Sequence, residues 1–586
     1  MKFLLTAVNA KFIHSNPAVY SLRAYAGERL QEHIEIAQYT INNRTEDVLA
    51  DIYLRKPDVI GFSCYIWNWN MIQDILEQLH KILPKLPIWL GGPEVTYGAP
   101  KILAEYPFIT GIMVGEGEVT FKELLEYYVG GMAPGGQGLK SIKGLCLASG
   151  YTPARELTDL NELPFLYENL EEFTNKIIYY ESSRGCPYSC SYCLSSIDKK
   201  VRLRDIDVVK KELQFFLDHN VAQVKFVDRT FNCNHQHAME IWGYLLEHDN
   251  GVTNFHFEIS ADILREDEIE LLNRMRPGLI QLEIGVQSAN PRTIEAIHRV
   301  MDIDKLERIV EAVRRGGNIH QHLDLIAGLP YEDYESFGRS FNRVYDMKPQ
   351  QLQLGFLKVL KGSCMEQQAR DFGICYMDRP PYEVLFTDWL PYADVLRLKK
   401  VEEMVELYYN SGQFEHTLAF LRGAFESPFA MFEALADYYE TEGYFVNSPA
   451  RVYRYNVLLS FAVKYDGAHE DIYRELLTFD MYLRENMKSR PDFAADLSGH
   501  RSIIRDIYIK EEQERCWLPD YDKYDWKQLS KMTHVEPFYF PVWEMEGWGR
   551  RSGTKNRFRT PCFVLFDYRY RHPLTNEART VVIRPD

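Results

Sequence analysis

The 586-residue chain is short of positive charge, of cysteine and of long apolar runs. Its 67 Lys and Arg against 84 Asp and Glu leave a net charge of −17. Non-specific nucleic-acid binding needs a basic surface, so none is expected, a small local patch aside. No apolar run reaches about 18 residues, so no membrane span is expected. The opening Met1-Lys-Phe-Leu-Leu-Thr-Ala-Val-Asn-Ala10 has too short an apolar stretch for a secretory leader. It reads as a first core strand. Ten irregularly spaced cysteines do not make a disulfide scaffold. Repeats and low-complexity tracts are absent. A cytoplasmic chain is expected, with length for three or four domains at about 150 residues each.

What the chain does have is concentrated in one decapeptide, Arg184-Gly-Cys186-Pro-Tyr-Ser-Cys190-Ser-Tyr192-Cys193. The spacing C-x₃-C-x₂-C offers three thiolates on a short loop. A 4Fe–4S cluster usually takes four ligands, so three leave one iron open to a small molecule. A structural zinc ion also wants four, commonly as two separated pairs. No second C-x₂-C occurs, and Cys233, His235 and His237 fall in a different strand–loop unit. This spacing resembles the signature of the radical S-adenosylmethionine enzymes. The resemblance implies that Cys186, Cys190 and Cys193 hold the cluster and that S-adenosylmethionine chelates the open iron. Reductive cleavage of its sulfonium would then give methionine and a 5′-deoxyadenosyl radical. It also implies an anaerobic setting and a reducing partner such as flavodoxin or ferredoxin.

Residues 1–135 alternate strand patterns (3–8, 34–39, 58–65, 87–91, 110–114) with helical ones. That alternation predicts an α/β fold with a doubly wound parallel sheet, and ligands beyond the carboxyl ends of its strands. Those ends read Ser63-Cys64-Tyr65, Gly91-Gly92-Pro93-Glu94 and Gly115-Glu116-Gly117-Glu118. Paired glycines let backbone approach a bulky ligand. The order of elements resembles the cobalamin-binding domain that precedes many radical S-adenosylmethionine cores. It implies that Ser63, Tyr65, Gly91, Gly92, Pro93, Glu94, Gly115, Glu116, Gly117 and Glu118 surround cobalamin. Many such domains carry D-x-H-x-x-G after an early strand. Here the second strand pattern ends Tyr39-Thr-Ile-Asn-Asn43, and His14 and His33 do not fit. No histidine on cobalt is therefore expected. Flavin or nucleotide binding competes, but Gly115-Glu-Gly-Glu118 is not G-x-G-x-x-G and its acids would repel phosphate. A methylthiotransferase would need a second cysteine triad, and this region has only Cys64 and Cys146. Tyr65, Trp67 and Trp69 pack either on the corrin or in the core.

A glycine-rich break at 130–138 opens a linker over 136–175. Over 176–378, strand patterns at 177–181, 224–228, 255–259, 280–288, 322–330 and 351–356 alternate with helical segments. They match the partial (β/α)₆ barrel of the family, and polar residues at barrel strand ends read as site residues. The family pattern implies Tyr192 near the adenine and Asp228 near the methionine amino group. Val227-Asp-Arg-Thr-Phe-Asn232 nevertheless departs from the family's glycine–glycine–glutamate. Glu283, Gln287 and Ser288 fall where ribose and carboxylate contacts are made, and Asp324 with Gly328-Leu-Pro330 on the adenine side. The alternative for each acid is a salt-bridged strand end. Cys364, after the sixth strand, is the candidate catalytic residue as proton donor or hydrogen-atom relay, against burial as an inert thiol.

Residues 379–586 read as a helical cap, amphipathic over 388–411, with a short β-rich end at 538–543 and 562–568. Arg550, Arg551, Lys555, Arg557 and Arg559 lie between, as a solvated loop or an anion contact. Together these features resemble a cobalamin-dependent radical S-adenosylmethionine enzyme. Methyl transfer to an unactivated carbon of an unknown organic substrate is the activity implied. A cobalamin-using cyclase or rearrangement enzyme is the alternative, and a non-enzymatic iron–sulfur electron-transfer or sensing protein the other class.

Overall fold

Strand β1 (Phe3–Asn9) is buried at every position, as a central strand covered on both faces must be. It pairs in parallel with β2 (Ile34–Thr40) and β3 (Val59–Ser63), and β4 (Ile88–Gly91) and β5 (Gly111–Met113) extend the parallel set. β6 (Leu145–Leu147) and β7 (Gly150–Tyr151) then add an antiparallel hairpin, giving the order β2-β1-β3-β4-β5-β6-β7. The segment read as a linker therefore contributes two strands to the first sheet. Helix Pro17–Ala26 starts at Asn16, whose side chain accepts from the Val19 amide, with proline in the first turn. Helix Trp69–Ile82 buries Ile72, Ile75, Leu76 and Leu79, one helical face, against Ile60, Phe62 and Leu90. Cys64 and Cys146 lie in that core. Five parallel strands bring their carboxyl ends to a single edge, where the three predicted turns sit.

The computed structural model describes residues 1–130, 137–544 and 557–584. The glycine-rich break and Arg550, Arg551 and Lys555 thus lie largely outside the described residues. The chain divides into two compact units. The first holds 1–317, 328–333 and 356–391. Within it β8 (Ile178–Tyr180) leads to a short antiparallel pair, β9 (Ser183–Arg184) and β10 (Arg202–Leu203), that brackets the cysteine loop. β11 (Gln223–Phe226), β12 (Asn254–Ile259) and β13 (Ile280–Gln287) continue from β8 as neighbouring parallel strands. Alternate burial along β13 shows one covered face.

The second unit holds 318–327, 334–355 and 392–586. β14 (His320–Ala327) and β15 (Gln351–Phe356) are hydrogen-bonded neighbours that begin it. Helix Tyr392–Met404 runs on into a π-helical turn, Val405–Asn410, whose Asn410 bonds both backbone groups of Leu352. Among the described residues the β-rich end has three strands, Thr533–Phe538, Cys562–Arg571 and Ala578–Ile583. The strand predicted at 538–543 therefore ends where it was expected to begin. After Phe538 the amides of Tyr539 and Phe540 turn to the Glu475 carboxylate at 3.0 Å, and Pro541 has no amide to donate. Pro537 is tolerated because its strand is at the sheet edge. Among the described residues no helix is long and apolar enough to cross a membrane.

Candidate functional site

The cysteine loop starts at Gly185, at φ +101°, where a Cβ would stand 2.5 Å from the Lys200 carbonyl oxygen. Only glycine fits that approach. The Cys186 amide donates to Asp198 O at 3.1 Å and the Ser191 amide to Ile297 O at 2.9 Å. Cys186 and Cys190 are buried and Cys193 is half-buried. The loop thus offers three thiols, a donor set that fits an iron–sulfur cluster with one open position. Cys186 Sγ also lies 3.5 Å from Thr230 Oγ1.

Two unbalanced charges border this loop. Asp228, only 1 % exposed, accepts from the Ser182 amide at 3.0 Å and from the hydroxyls of Ser182 and Ser183 at 2.7 and 2.5 Å. His237 Nε2 reaches the same Ser182 hydroxyl at 3.2 Å. Burial pushes the Asp228 carboxyl up to about 6, against the pull of these neutral donors. No cation pairs with it among the described residues. Arg299 is the reverse case. Its guanidinium lies 3.8 Å from Cys190 Sγ and 3.4 Å from the Tyr192 hydroxyl, and it donates to Gly285 O. Its Nε is buried without a hydrogen-bond partner, and no carboxylate of the described residues pairs with it.

Glu283 faces His256 at 2.9 Å and Lys225 at 3.0 Å. Burial opposes it, yet these two contacts bring its carboxyl down to about 2. Gln287 closes β13 at φ +70°, a conformation costly for a residue with a Cβ, and its Oε1 is buried without a partner. The Ser288 hydroxyl donates to Glu332 at 2.7 Å. In the second unit Asp324 sits 2.9 Å from His322 Nε2. Cys364 is exposed, at the start of the short helix Cys364–Gln368, so the reading of a buried inert thiol does not hold.

A cavity of ≈ 560 Å³ opens at the carboxyl edge of the first sheet. Ser63, Tyr65, Gly91, Gly92, Pro93, Gly115, Glu116, Gly117 and Glu118 all line it, and so do Arg184, Leu194, Ile197 and Asp198 from the cysteine loop and its continuation. At Gly92, φ +113°, a Cβ would stand 2.4 Å from Cys64 O. At Gly115, φ +82°, nothing lies within 4 Å, so its backbone is bare to the space. Tyr65 stacks on Trp67 at 4.3 Å and 8°, whereas Trp69 is buried in the helix core. Glu94 does not line the cavity; it is buried, 2.8 Å from Lys361 Nζ and bonded to the Tyr382 hydroxyl. Glu116 and Glu118 line it with their carboxylates turned to Arg184 and Arg202. Burial opposes it, but Arg202 and the Arg184 charge hold the Glu116 carboxyl down to about 2. His14 Nδ1 lies 2.6 Å from the Tyr179 hydroxyl and His33 Nδ1 3.1 Å from Met1 O.

Arg299, Ser182 and Ser183 carry no signal in the sequence, and His237, weighed there only as a metal ligand, instead meets the Ser182 hydroxyl. Arg299 stands in Ala296-Ile-His-Arg299, with no spacing signal; only the fold lays it against Cys190.

Residues 4–125 match the B12 binding domain, 180–344 the Radical SAM superfamily, and 370–563 a protein family of unknown function, DUF4080. The chain is 24 % identical over 308 residues to the cobalamin-dependent radical SAM methyltransferase TokK of Streptomyces tokunonensis, covering 48 % of this chain and 44 % of TokK. It is 24 % identical over 324 residues to the anaerobic magnesium-protoporphyrin IX monomethyl ester cyclase of Rubrivivax gelatinosus, covering 53 % and 58 %. The match thus spans about half the length of these curated relatives. Among solved structures, the radical S-adenosylmethionine methyltransferase TsrM from Kitasatospora setae, with cobalamin and a [4Fe–4S] cluster bound, superposes with a TM-score of 0.52 at 18 % identity, covering 65 % of this chain and 79 % of TsrM. The cobalamin-dependent radical enzyme OxsB, with aqua-cobalamin and S-adenosylmethionine bound, gives 0.56 at 14 % identity, covering 81 % and 80 %. These likenesses establish the shared fold.

Proposed function

We propose, from a chain that belongs to the radical S-adenosylmethionine proteins with an amino-terminal cobalamin-binding domain, that it moves a methyl group onto an unactivated carbon of an organic substrate. The observation that carries this reading is the ≈ 560 Å³ cavity with the glycine turns on one side and the continuation of the cysteine loop on the other. A corrinoid lodged there would lie next to the cluster. When bound, the cluster with S-adenosylmethionine supplies a carbon-centred radical and the corrinoid a transferable methyl group.

The chain's own residues bind, orient and shield. Cys186, Cys190 and Cys193 would hold three irons. Asp228 offers a carboxylate without a cation, and Arg299, beside the Cys190 sulfur, a guanidinium that no carboxylate of the described residues pairs, both at the cysteine loop. Such a pair fits a zwitterionic α-amino acid group, which would balance each charge where burial makes imbalance costly. Gln287 has a vacant buried acceptor suited to a hydroxyl. Gly115 leaves open space a macrocycle can use, Gly92 lets the turn pack against the Cys64 carbonyl, and Tyr65 adds an apolar face to the cavity. Cys364, exposed rather than buried, remains the candidate proton or hydrogen-atom donor.

The test is anaerobic reconstitution with iron, sulfide and hydroxocobalamin, followed by dithionite and S-adenosylmethionine. Methyl transfer through a corrinoid predicts both 5′-deoxyadenosine and S-adenosylhomocysteine. Similarity to a cyclase favours a second reading, which predicts 5′-deoxyadenosine alone. Protein that holds neither corrinoid nor cluster, or holds them and leaves S-adenosylmethionine intact, overturns both readings.

A further inference from the structure

The acids of the third glycine turn face cations that belong to the cysteine loop. Arg184, two residues before Cys186, reaches Glu118 at 3.0 Å, Glu116 at 3.3 Å and Glu181 at 2.7 Å. Arg202 pairs across β10–β9 with Arg184 in register, and reaches Glu116 at 2.5 Å and Asp198 at 3.1 Å. The carbonyl of Asp198 in turn accepts the Cys186 amide. The stretch from Arg184 to Arg202 therefore encloses all three cysteines and is bonded at both ends to one turn of the first sheet. Glu118 is 8 % exposed and Arg202 11 %, so water screens these pairs far less than it screens surface ones.

The charge count makes Arg184 the critical member. Two guanidinium groups stand among four carboxylates, Glu116, Glu118, Glu181 and Asp198. Without Arg184, Arg202 still holds Glu116, but Glu118 on the turn side and Glu181 on the cysteine side lose the one cation that bridges them. Like charges at that range repel, so the turn and the loop would loosen on the Glu118 side, with Arg202–Glu116 left as the remaining tie.

We infer that Arg184 is a positioning residue that sets the separation between the iron–sulfur loop and a corrinoid held at the glycine turns. The inference rests on the cofactor reading above. Glu116 and Glu118 then serve as the anchor for the loop rather than as corrin contacts. The gap they set is the one any methyl or radical must cross.

The full chain, loaded anaerobically with iron, sulfide and hydroxocobalamin and reduced, carries two paramagnets whose spin–spin splitting reports their separation. In Arg184→Gln, iron and corrinoid contents should match the parent while the splitting narrows. Bound corrinoid should also exchange with free radiolabelled cyanocobalamin roughly tenfold faster, an effect between those of losing an exposed and a fully buried charge partner. Arg184→Lys should recover part of both effects. If Arg184→Gln fails to hold its cluster, Glu118→Gln removes the same pair from the far side and should narrow the splitting alone. An unchanged splitting and exchange rate in either cluster-loaded variant overturns the inference. Parent protein that binds no corrinoid overturns the cofactor reading instead, so the two failures are distinguishable.

Discussion

Asp228 is a carboxylate held among neutral donors, and its titration follows from that. Burial lifts it to about 6, so above that pH it carries the charge an α-ammonium group needs, and below it the charge is gone. Affinity of the cluster-loaded protein for S-adenosylmethionine should be flat above about pH 7 and fall roughly tenfold per unit below the Asp228 titration. Anaerobic equilibrium dialysis from pH 5 to 8 checks the sign; tighter binding on acidification would contradict it. Asp228→Asn should weaken binding by about 1.5–3 kcal/mol, the loss of a charge-assisted hydrogen bond. Cys190→Ala should lose its iron outright, read by iron content after desalting. The cysteine triad was legible because a ligand spacing is a local property of the chain. Arg299 was not, because its meaning comes from contact with Cys190 across 109 positions of sequence.

At the scale of the element, the glycine turns separate two demands that a sequence cannot tell apart. Gly92 is closed in: a Cβ there meets the Cys64 carbonyl at 2.4 Å on a backbone with φ +113°. Gly115 shares the positive φ but has no atom near its missing Cβ. Gly92→Ala should therefore destabilise the first unit by about 1–3 kcal/mol through clash and strain. Gly115→Ala should cost only about 1 kcal/mol in fold stability while lowering corrinoid uptake, since its methyl group would project into the cavity. Thermal melts without cofactor and corrinoid content after loading check the contrast. Strand and helix positions in the first 360 residues were legible from runs such as 3–8 and the helical spacing of Ile72, Ile75, Leu76 and Leu79. The β6–β7 hairpin was not, because Leu145-Cys-Leu147 is too short to stand out from a connector. The strand over 533–538 was misplaced because its continuing aromatics, Tyr539 and Phe540, look like strand residues and instead donate to Glu475.

At the scale of the whole molecule, the second unit carries its own titration. Burial pushes the Glu475 carboxyl up to about 7, against the pull of the Tyr539 and Phe540 amides. Between about 4.5 and 7 the folded chain holds a proton that the unfolded chain has released. The stability from this group is thus present at the acidic end of that window and lost as pH rises through it. Melting of the second unit should shift upward from pH 8 to pH 6, and Glu475→Gln should remove that shift. Hydrogen exchange on Cys562–Arg571 reads it locally. The division of labour between corrinoid and radical regions was legible from element order. The ties joining them were not, since Glu94 and Lys361 stand 267 positions apart and an acid on a turn carries no sign of which distant cation it will meet. The β6–β7 hairpin bears on how this chain can be cut. A fragment ending at 135 would strip two strands from the sheet and leave β5 as a bare ladder edge, open to pairing with a second copy. An excised corrinoid module must run past Tyr151 to keep that border sealed.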